Sequence, residues 1–248
     1  MLIGSNIIYR EKVSSTNVLA AEMLSDTSVP EGSVIYAGEQ YRGKGQRANT
    51  WHSEAGKNLT MSIILYPHFL QADRQFMLSK VLSLAISELL DPYSGSISIK
   101  WPNDIYHKDD KIAGILIEYS IEGKKIKHCI AGTGININQV DFPPEIPNPV
   151  SLHIINRRKY DTAVLLSDFC RICDLWYKKL MDGSEEEINK KYQQRLYRLN
   201  KLSGYVINGE MTRAMIQGVD RYGRLELRME DGSTGIFGFD EIKFSPRF

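Results

Sequence analysis

Apolar residues along this chain recur at two spacings, and the switches between them outline a fold. Alternating or β-branched runs predict strands at VIYAGEQ from Val34, NLTMSIIL from Asn58, SISIKW from Ser96, KIAGILIEY from Lys111 and IKHCIAG from Ile126. Helical spacing predicts helices over residues 15–25 and 73–90, the second with Phe76, Val81, Leu84, Ala85 and Leu89 on a buried stripe. A third helix runs through DTAVLLSDFCRICDLWYKKL, where Leu165, Leu166, Phe169, Cys173, Trp176 and Leu180 share that spacing. A fourth starts at Ser184, which forms a capping-box pattern with Glu187.

The links between these runs decide the fold class. HKDD after Tyr106 and EGKK after Ile121 read as hairpin turns, so neighbouring strands return on each other. The sheet is then mixed and largely antiparallel with flanking helices, an α+β fold rather than a doubly wound one. DFPPEIPNP, from Asp141 to Pro149, is a loop, because its four prolines remove the N–H donors that a helix or a strand needs. After about residue 200 the texture changes to short strands broken by Asn208-Gly209, Tyr222-Gly223 and Asp231-Gly232, which predicts a small barrel of five or six strands. Two domains are expected, residues 1–200 and 201–248.

Composition narrows the function classes. The 248 residues are 42% hydrophobic and 25% charged with a formal net charge of +1, which excludes a disordered chain and recommends neither nucleic acid nor membrane as a partner. No apolar run approaches the ~20 residues that span a bilayer, and the N-terminus lacks the basic start and long apolar stretch of a signal peptide, so a cytoplasmic location is expected. Cys170-x-x-Cys173 lies on the third predicted helix and reads as core packing; a zinc site would need further ligands, and Cys129 with five histidines supplies no second half.

Candidate chemistry concentrates in four motifs. GKGQRANTW, from Gly43 to Trp51, joins two glycines and two cations in one loop; it reads either as an anion-closing loop or as a solvated turn. KWPND from Lys100 to Asp104, KIAGILIE from Lys111 to Glu118 and GTGIN from Gly132 to Asn136 follow in order. Taken singly, Lys111 is also an exposed strand-terminal lysine, Gly114 a β-bulge, Asp104 a turn residue, Gln40 a surface residue and Ser15 a helix N-cap. Trp51 and Trp101 equally suit a core.

With Ser15-Thr16-Asn17 near the start and the barrel-like tail, this ordered set resembles the biotin protein ligases, also called biotin–[acetyl-CoA-carboxylase] ligases. The resemblance implies a class II synthetase-like catalytic domain with a C-terminal SH3-like barrel. It implies that ATP activates biotin to biotinyl-5′-AMP with release of pyrophosphate, and that biotin then passes to one lysine of a biotin carboxyl carrier protein domain. Mg²⁺ on the ATP phosphates is implied as well, with no metal site of the protein's own.

Residue by residue, the resemblance makes Lys111 the essential cation between the biotin carboxylate and the α-phosphate. Ser15, Thr16, Gln40, Gly43, Lys44 and Gly114 fall at biotin-binding positions, and Gln46, Arg47, Trp51, Asn103 and Asn136 at adenylate positions. Asp104 is the candidate to orient or deprotonate the acceptor lysine, and Trp101 is mainly structural. The family loop commonly reads Gly-Arg-Gly-Arg-x-Gly, whereas Lys44 and Gln46 stand here at the arginine positions and Ala48 at the last glycine. Lys44 keeps charge without bidentate geometry, and Arg47 is the neighbour that could replace the charge lost at Gln46. Catalytic candidates are thus Lys111, Asp104, Lys44 and Arg47.

A bifunctional ligase and repressor would carry a winged-helix domain ahead of these motifs, and only fourteen residues precede Ser15. The expectation is a monofunctional ligase, monomer or homodimer, without a nucleic-acid partner. A lipoate-type ligase is the other alternative, against which the pairing of KWPND with GTGIN speaks.

Overall fold

The computed structural model describes residues 1–26 and 28–245. Seven strands form the large sheet: β1 Ile7–Val13, β2 Val34–Gln40, β3 Leu59–Leu65, β4 Ile97–Lys100, β5 Asp104–His107, β6 Asp110–Glu122 and β7 Lys125–Ile135. Their spatial order is β1-β2-β3-β7-β6-β5-β4. Only β1 and β2 run parallel, so the sheet is mixed and largely antiparallel as expected.

The period of two divides the sheet into unlike faces. Leu59, Met61, Ile63 and Leu65 of β3, with Cys129, Ala131 and Ile135 of β7 and Ala113 and Ile115 of β6, enter the main core. Helices α2 (Phe76–Leu90), α4 (Thr162–Met181) and α5 (Glu185–Gln194) pack together on this side. The intervening residues face the other way. There Ile64, Ile130 and Ile35 bury Ala20 of α1 (Thr16–Asp26), and further along the same face Ser62 pairs with Gly132, Thr60 with Gly134 and Gly114 with Gly134. Small and polar side chains therefore leave a hollow beside α1, and in that hollow the four motifs meet.

The second sheet holds β8 Ser203–Ile207, β9 Glu210–Val219, β10 Leu225–Met229, β11 Thr234–Phe237 and β12 Ile242–Phe244, in the order β11-β10-β9-β8-β12, antiparallel throughout. Its five strands fall within the five or six expected, but the sheet is open rather than the expected barrel, since no pairing closes β11 onto β12 among the described residues. Its Asn208-Gly209 turn takes left-handed φ at both residues, 51° and 88°, as a tight hairpin requires. Trp101 anchors this sheet to the first: its indole Nε1 donates to the Gly223 carbonyl at 2.8 Å while its ring meets Phe239.

Local expectations hold with four exceptions. The helix predicted over residues 73–90 begins with a 3₁₀ turn, Ala72–Arg74, and is α-helical only from Phe76. Strand β1 carries no alternation that a sequence reading could detect, because most of its residues are exposed. A short helix, α3 (Leu152–Asn156), follows the Pro-rich loop, capped by Ser151. The Ser184–Glu187 capping box does not form: Ser184 makes no side-chain cap, and Glu187 instead pairs with Lys179 at 2.5 Å. All three cysteines are buried and free. Among the described residues no helix is long and apolar enough to cross a membrane.

Candidate active site

Two adjoining cavities open on the polar face of the large sheet. The first, about 380 Å³, is lined by Ser15, Thr16, Gln40, Lys44, Gln46, Arg47, Trp51, Asn103, Asp104, Lys111 and Gly114 among others, and is walled by Phe239, Ile242 and Phe244 of the second sheet. The second, about 1280 Å³, lies between the Pro-rich loop and the second sheet and adds Asn136, Phe142 and Tyr197. Trp51, Lys100, Asp104 and Lys111 line both.

At the closed end, start-of-helix residues meet strand residues in one hydrogen-bond network. Gln40 Oε1 accepts from the Thr16 backbone N–H at 2.7 Å and from Thr16 Oγ1 at 3.1 Å. Ser62 Oγ lies 2.7 Å from Thr16 Oγ1 and 2.5 Å from Asn17 Oδ1, and Asn17 Nδ2 donates to Glu118 Oε2 at 2.7 Å. Glu118 in turn faces the Lys44 ammonium at 3.5 Å. Ser15 is buried beside them. Asn17, Ser62 and Glu118 were not among the sequence candidates. Asn17 and Glu118 stand inside quoted motifs, whereas Ser62 carries no local signal.

The glycines make room for the protein's own side chains. A Cβ on Gly134 would stand 2.3 Å from Trp51 Cε2, one on Gly114 3.1 Å from Trp51 Cζ3, and one on Gly132 2.3 Å from Asn17 Oδ1. What approaches these backbones is thus the protein's own Trp51 and Asn17. In the loop, positive φ falls on Arg47 (55°) and not on Gly43 or Gly45. Gly43 is needed because its Cβ would meet the Trp51 carbonyl at 2.4 Å, and it stays outside the cavity lining. Trp51 Nε1 is buried without a partner.

Charge at the junction is paired. Lys111 Nζ sits 2.6 Å from Asp104 Oδ1, off the direction of a hydrogen bond, so that Oδ1 is ion-paired and still free to accept. The same ammonium lies 5.6 Å from the Trp51 ring centroid. Backbone bonds to Asn148 and from Val150 tie Lys111 to the Pro-rich loop. Arg47 donates to the Phe239 carbonyl and pairs with Asp240 at 2.7 Å, so it points to the second sheet and not into the first cavity's floor. Asn103 Nδ2 donates to the Ile115 carbonyl at 2.9 Å. Asn136 Nδ2 donates to the Val150 carbonyl at 3.1 Å and its Oδ1 is buried unpartnered, an acceptor at the rim of the larger cavity. Burial pushes the Lys100 ammonium below its ordinary pKa, against the pull of Asp104, and raises the Tyr106 phenol.

A polar-ended pocket thus meets a second, larger chamber at the Lys111–Asp104 pair. Residues 9–136 match the Biotin/lipoate A/B protein ligase family. The bifunctional ligase/repressor BirA of Bacillus subtilis is 30% identical over 245 residues, 96% of this chain and 74% of that protein. The biotin–[acetyl-CoA-carboxylase] ligase of Paracoccus denitrificans is 28% identical over 91% of this chain and 95% of its own. The fold superposes on the biotin protein ligase from Aquifex aeolicus in complex with biotin and ATP with a TM-score of 0.81 and 26% identity, covering 97% of this chain and 100% of that one. The chain belongs to the biotin/lipoate A/B protein ligase family, as a biotin protein ligase.

Proposed function

We propose that this ligase works in two steps, forming biotinyl-5′-AMP and pyrophosphate from biotin and ATP, then transferring biotin to one lysine of a biotin carboxyl carrier protein domain. The observation that carries the reading is the Lys111–Asp104 pair at the junction of two chambers, one suited to biotin and one to nucleotide. In it, residues 1–200 form the catalytic unit and residues 201–248 a C-terminal domain that walls it.

The ureido ring of biotin offers one carbonyl acceptor and two N–H donors. Ser15, Thr16 and Gln40 supply matching hydroxyl and amide groups at the closed end, and the bonds between Thr16 and Gln40 fix those two before the ligand arrives. The valeryl carboxylate then reaches Lys111. Two unit charges 4 Å apart repel by about 4 kcal/mol at an effective dielectric constant near 20, so a carboxylate approaching an α-phosphate needs a cation there. Lys111 provides it, and the loop cations Lys44 and Arg47 close over the product. Trp51 packs on the adenylate, Gln46 and Asn103 line it, and Asn136 Oδ1 accepts from the adenine amine. No nucleophilic triad is required, because the biotin carboxylate and the acceptor amine are themselves the nucleophiles; positioning supplies the rate.

In the second step the acceptor lysine arrives as an ammonium, with a free pKa near ~10.4, and must lose a proton before it attacks. Asp104, whose carboxylate is ion-paired with Lys111 where the two chambers meet, is the base that takes that proton. Mg²⁺, if carried on the nucleotide phosphates, would offset their charge as they enter the larger chamber.

The test incubates pure protein with biotin, ATP, Mg²⁺ and a biotin carrier domain, and probes the carrier for biotin by mass. A single biotin on one lysine, with one pyrophosphate released per transfer, is expected. Absence of modification, or preferential attachment of lipoate from an equimolar mixture, overturns the reading.

A further inference from the structure

Lys100 opens the KWPND motif, and neither the biotin pocket nor the acceptor step uses it. It ends β4 opposite Asp104 in register, so it stands on the polar face of the sheet and flanks that carboxylate as Lys111 does from β6. Of the residues that line both cavities it and Lys111 are the two lysines. Their states differ. The cations Lys111, Lys44 and Arg47 each have a carboxylate within ion-pair distance, namely Asp104, Glu118 and Asp240. Lys100 has none among the described residues: its ammonium donates to Tyr106 Oη at 2.8 Å and rests over the rings of Tyr106 and Phe244, 4.7 and 5.2 Å from their centroids. An ammonium with no carboxylate at ion-pair distance, held in a half-buried aromatic cradle, is an anion site in waiting, and burial lowers its pKa against the pull of Asp104.

We infer that Lys100 binds the β- and γ-phosphates of ATP and then the pyrophosphate they become, an inference that rests on the ligase reading above. In the activating step a biotin carboxylate oxygen bonds to the α-phosphorus and the bond from that phosphorus to the α–β bridging oxygen breaks. The electron pair stays on the bridging oxygen, which leaves as part of pyrophosphate. Negative charge therefore grows on the far side of the phosphorus from the carboxylate. Lys111 serves the entering side, and Lys100, on the next strand but one and open to the larger chamber, serves the leaving side. Tyr106 and Phe244 hold its stem straight, so little rotamer freedom is lost when phosphate docks.

Calorimetric titration of inorganic pyrophosphate with Mg²⁺ into the intact protein tests this without relying on turnover. Lys100→Met keeps the stem on both rings and removes the charge; Lys100→Arg keeps the charge; Lys100→Gln is a second neutral variant. The neutral variants should bind pyrophosphate about tenfold or more weakly, the loss of one charge-assisted hydrogen bond, while Lys100→Arg stays within about threefold. Biotin affinity, measured alongside, should not change and certifies folding. Equal pyrophosphate affinity in all four proteins, or no binding by the wild type, overturns the inference. Wild-type binding that depends on Lys100, in a protein that forms no adenylate, would sink the ligase reading instead and leave the anion site standing.

Discussion

The indole of Trp51 lies across the backbone of Gly134, so close that a methyl group there would stand 2.3 Å from Cε2. Gly134→Ala therefore forces either the ring off the sheet or the strand out of register. The ring belongs to a loop and the strand to the centre of the sheet, so the ring moves. We expect a stability loss of about 1–3 kcal/mol, the usual range for overpacking, and a fall in adenylate formation of at least about tenfold as Trp51 leaves its place. The difference in tryptophan emission between Gly134→Ala with and without Trp51→Phe reports the movement. An unchanged emission together with an unchanged rate would show that Trp51 has no fixed place in the site.

Lys111→Ala should abolish pyrophosphate release from ATP and biotin while leaving the fold intact, because Nζ contributes charge at the reacting centre and no core packing. Asp104→Asn divides the two steps. It keeps the shape but cannot take a proton, so transfer from preformed biotinyl-5′-AMP to the carrier should slow by about 10²–10⁴-fold, a general-base effect. Pyrophosphate release in the same variant should fall much less. Near-normal release from folded Lys111→Ala, or equal losses in both steps for Asp104→Asn, would reverse these assignments.

How far the chain itself disclosed this site depends on the range of each interaction. NLTMSIIL and IKHCIAG read as strands from their local pattern, so β3 and β7 were legible in the chain. Lys111 and Asp104 came from the order of motifs, not from any local signal. The network that ties Ser62 to Asn17 and Asn17 to Glu118 spans 45 and 101 positions, and no spacing rule reaches so far. The partners of Gly43, Gly132 and Gly134 were hidden for a related reason: Trp51 and Asn17 are placed against them by tertiary contact. The Ser184–Glu187 box failed to a competitor, since Lys179, from the preceding helix, offers Glu187 a full charge where the box offers a backbone N–H.

Lys80 gives the fold a pH dependence apart from catalysis. It is 3% exposed, donates to Asn189 Oδ1 at 2.7 Å and lies over the rings of Phe76 and Tyr192, and burial pushes its pKa from 10.5 down to about 8. Between pH 8 and about 10 the unfolded chain holds this proton more firmly than the folded one, so the Lys80 contribution to stability rises with pH. Its slope cannot exceed about 1.4 kcal/mol per pH unit. Above pH 10 buried Tyr192, whose phenol pKa is raised by burial, opposes the gain as unfolded tyrosine ionises. Denaturation of wild type and Lys80→Met at pH 7.5 and 9.5 isolates the effect, since other titrations are common to both. A wild type that gains nothing on the variant across this window would mean that Lys80 is well solvated.

Arg47 lines the first cavity with its guanidinium held by the Phe239 carbonyl and Asp240, yet it is the cation that must replace the charge missing at Gln46 if the loop is to clamp a phosphate. The pair it must leave is weak. Asp240 is 89% exposed, and exposed pairs contribute about 0–1 kcal/mol. A phosphate contact made by a charged donor contributes about 1.5–3 kcal/mol, against about 1 for a neutral one, so the adenylate competes with Asp240 easily and with the Phe239 carbonyl bond on nearly equal terms. Arg47→Ala should then speed the escape of activated biotin far more than Gln46→Ala, read as biotin appearing on bystander lysines of an added non-carrier protein. Asp240→Asn removes the competitor and should leave escape at or below the wild-type level. If Gln46→Ala leaks as much as Arg47→Ala, Lys44 is the principal cation of the loop. If Asp240→Asn leaks as Arg47→Ala does, Arg47 acts from its place on the second sheet and does not transfer to the phosphate.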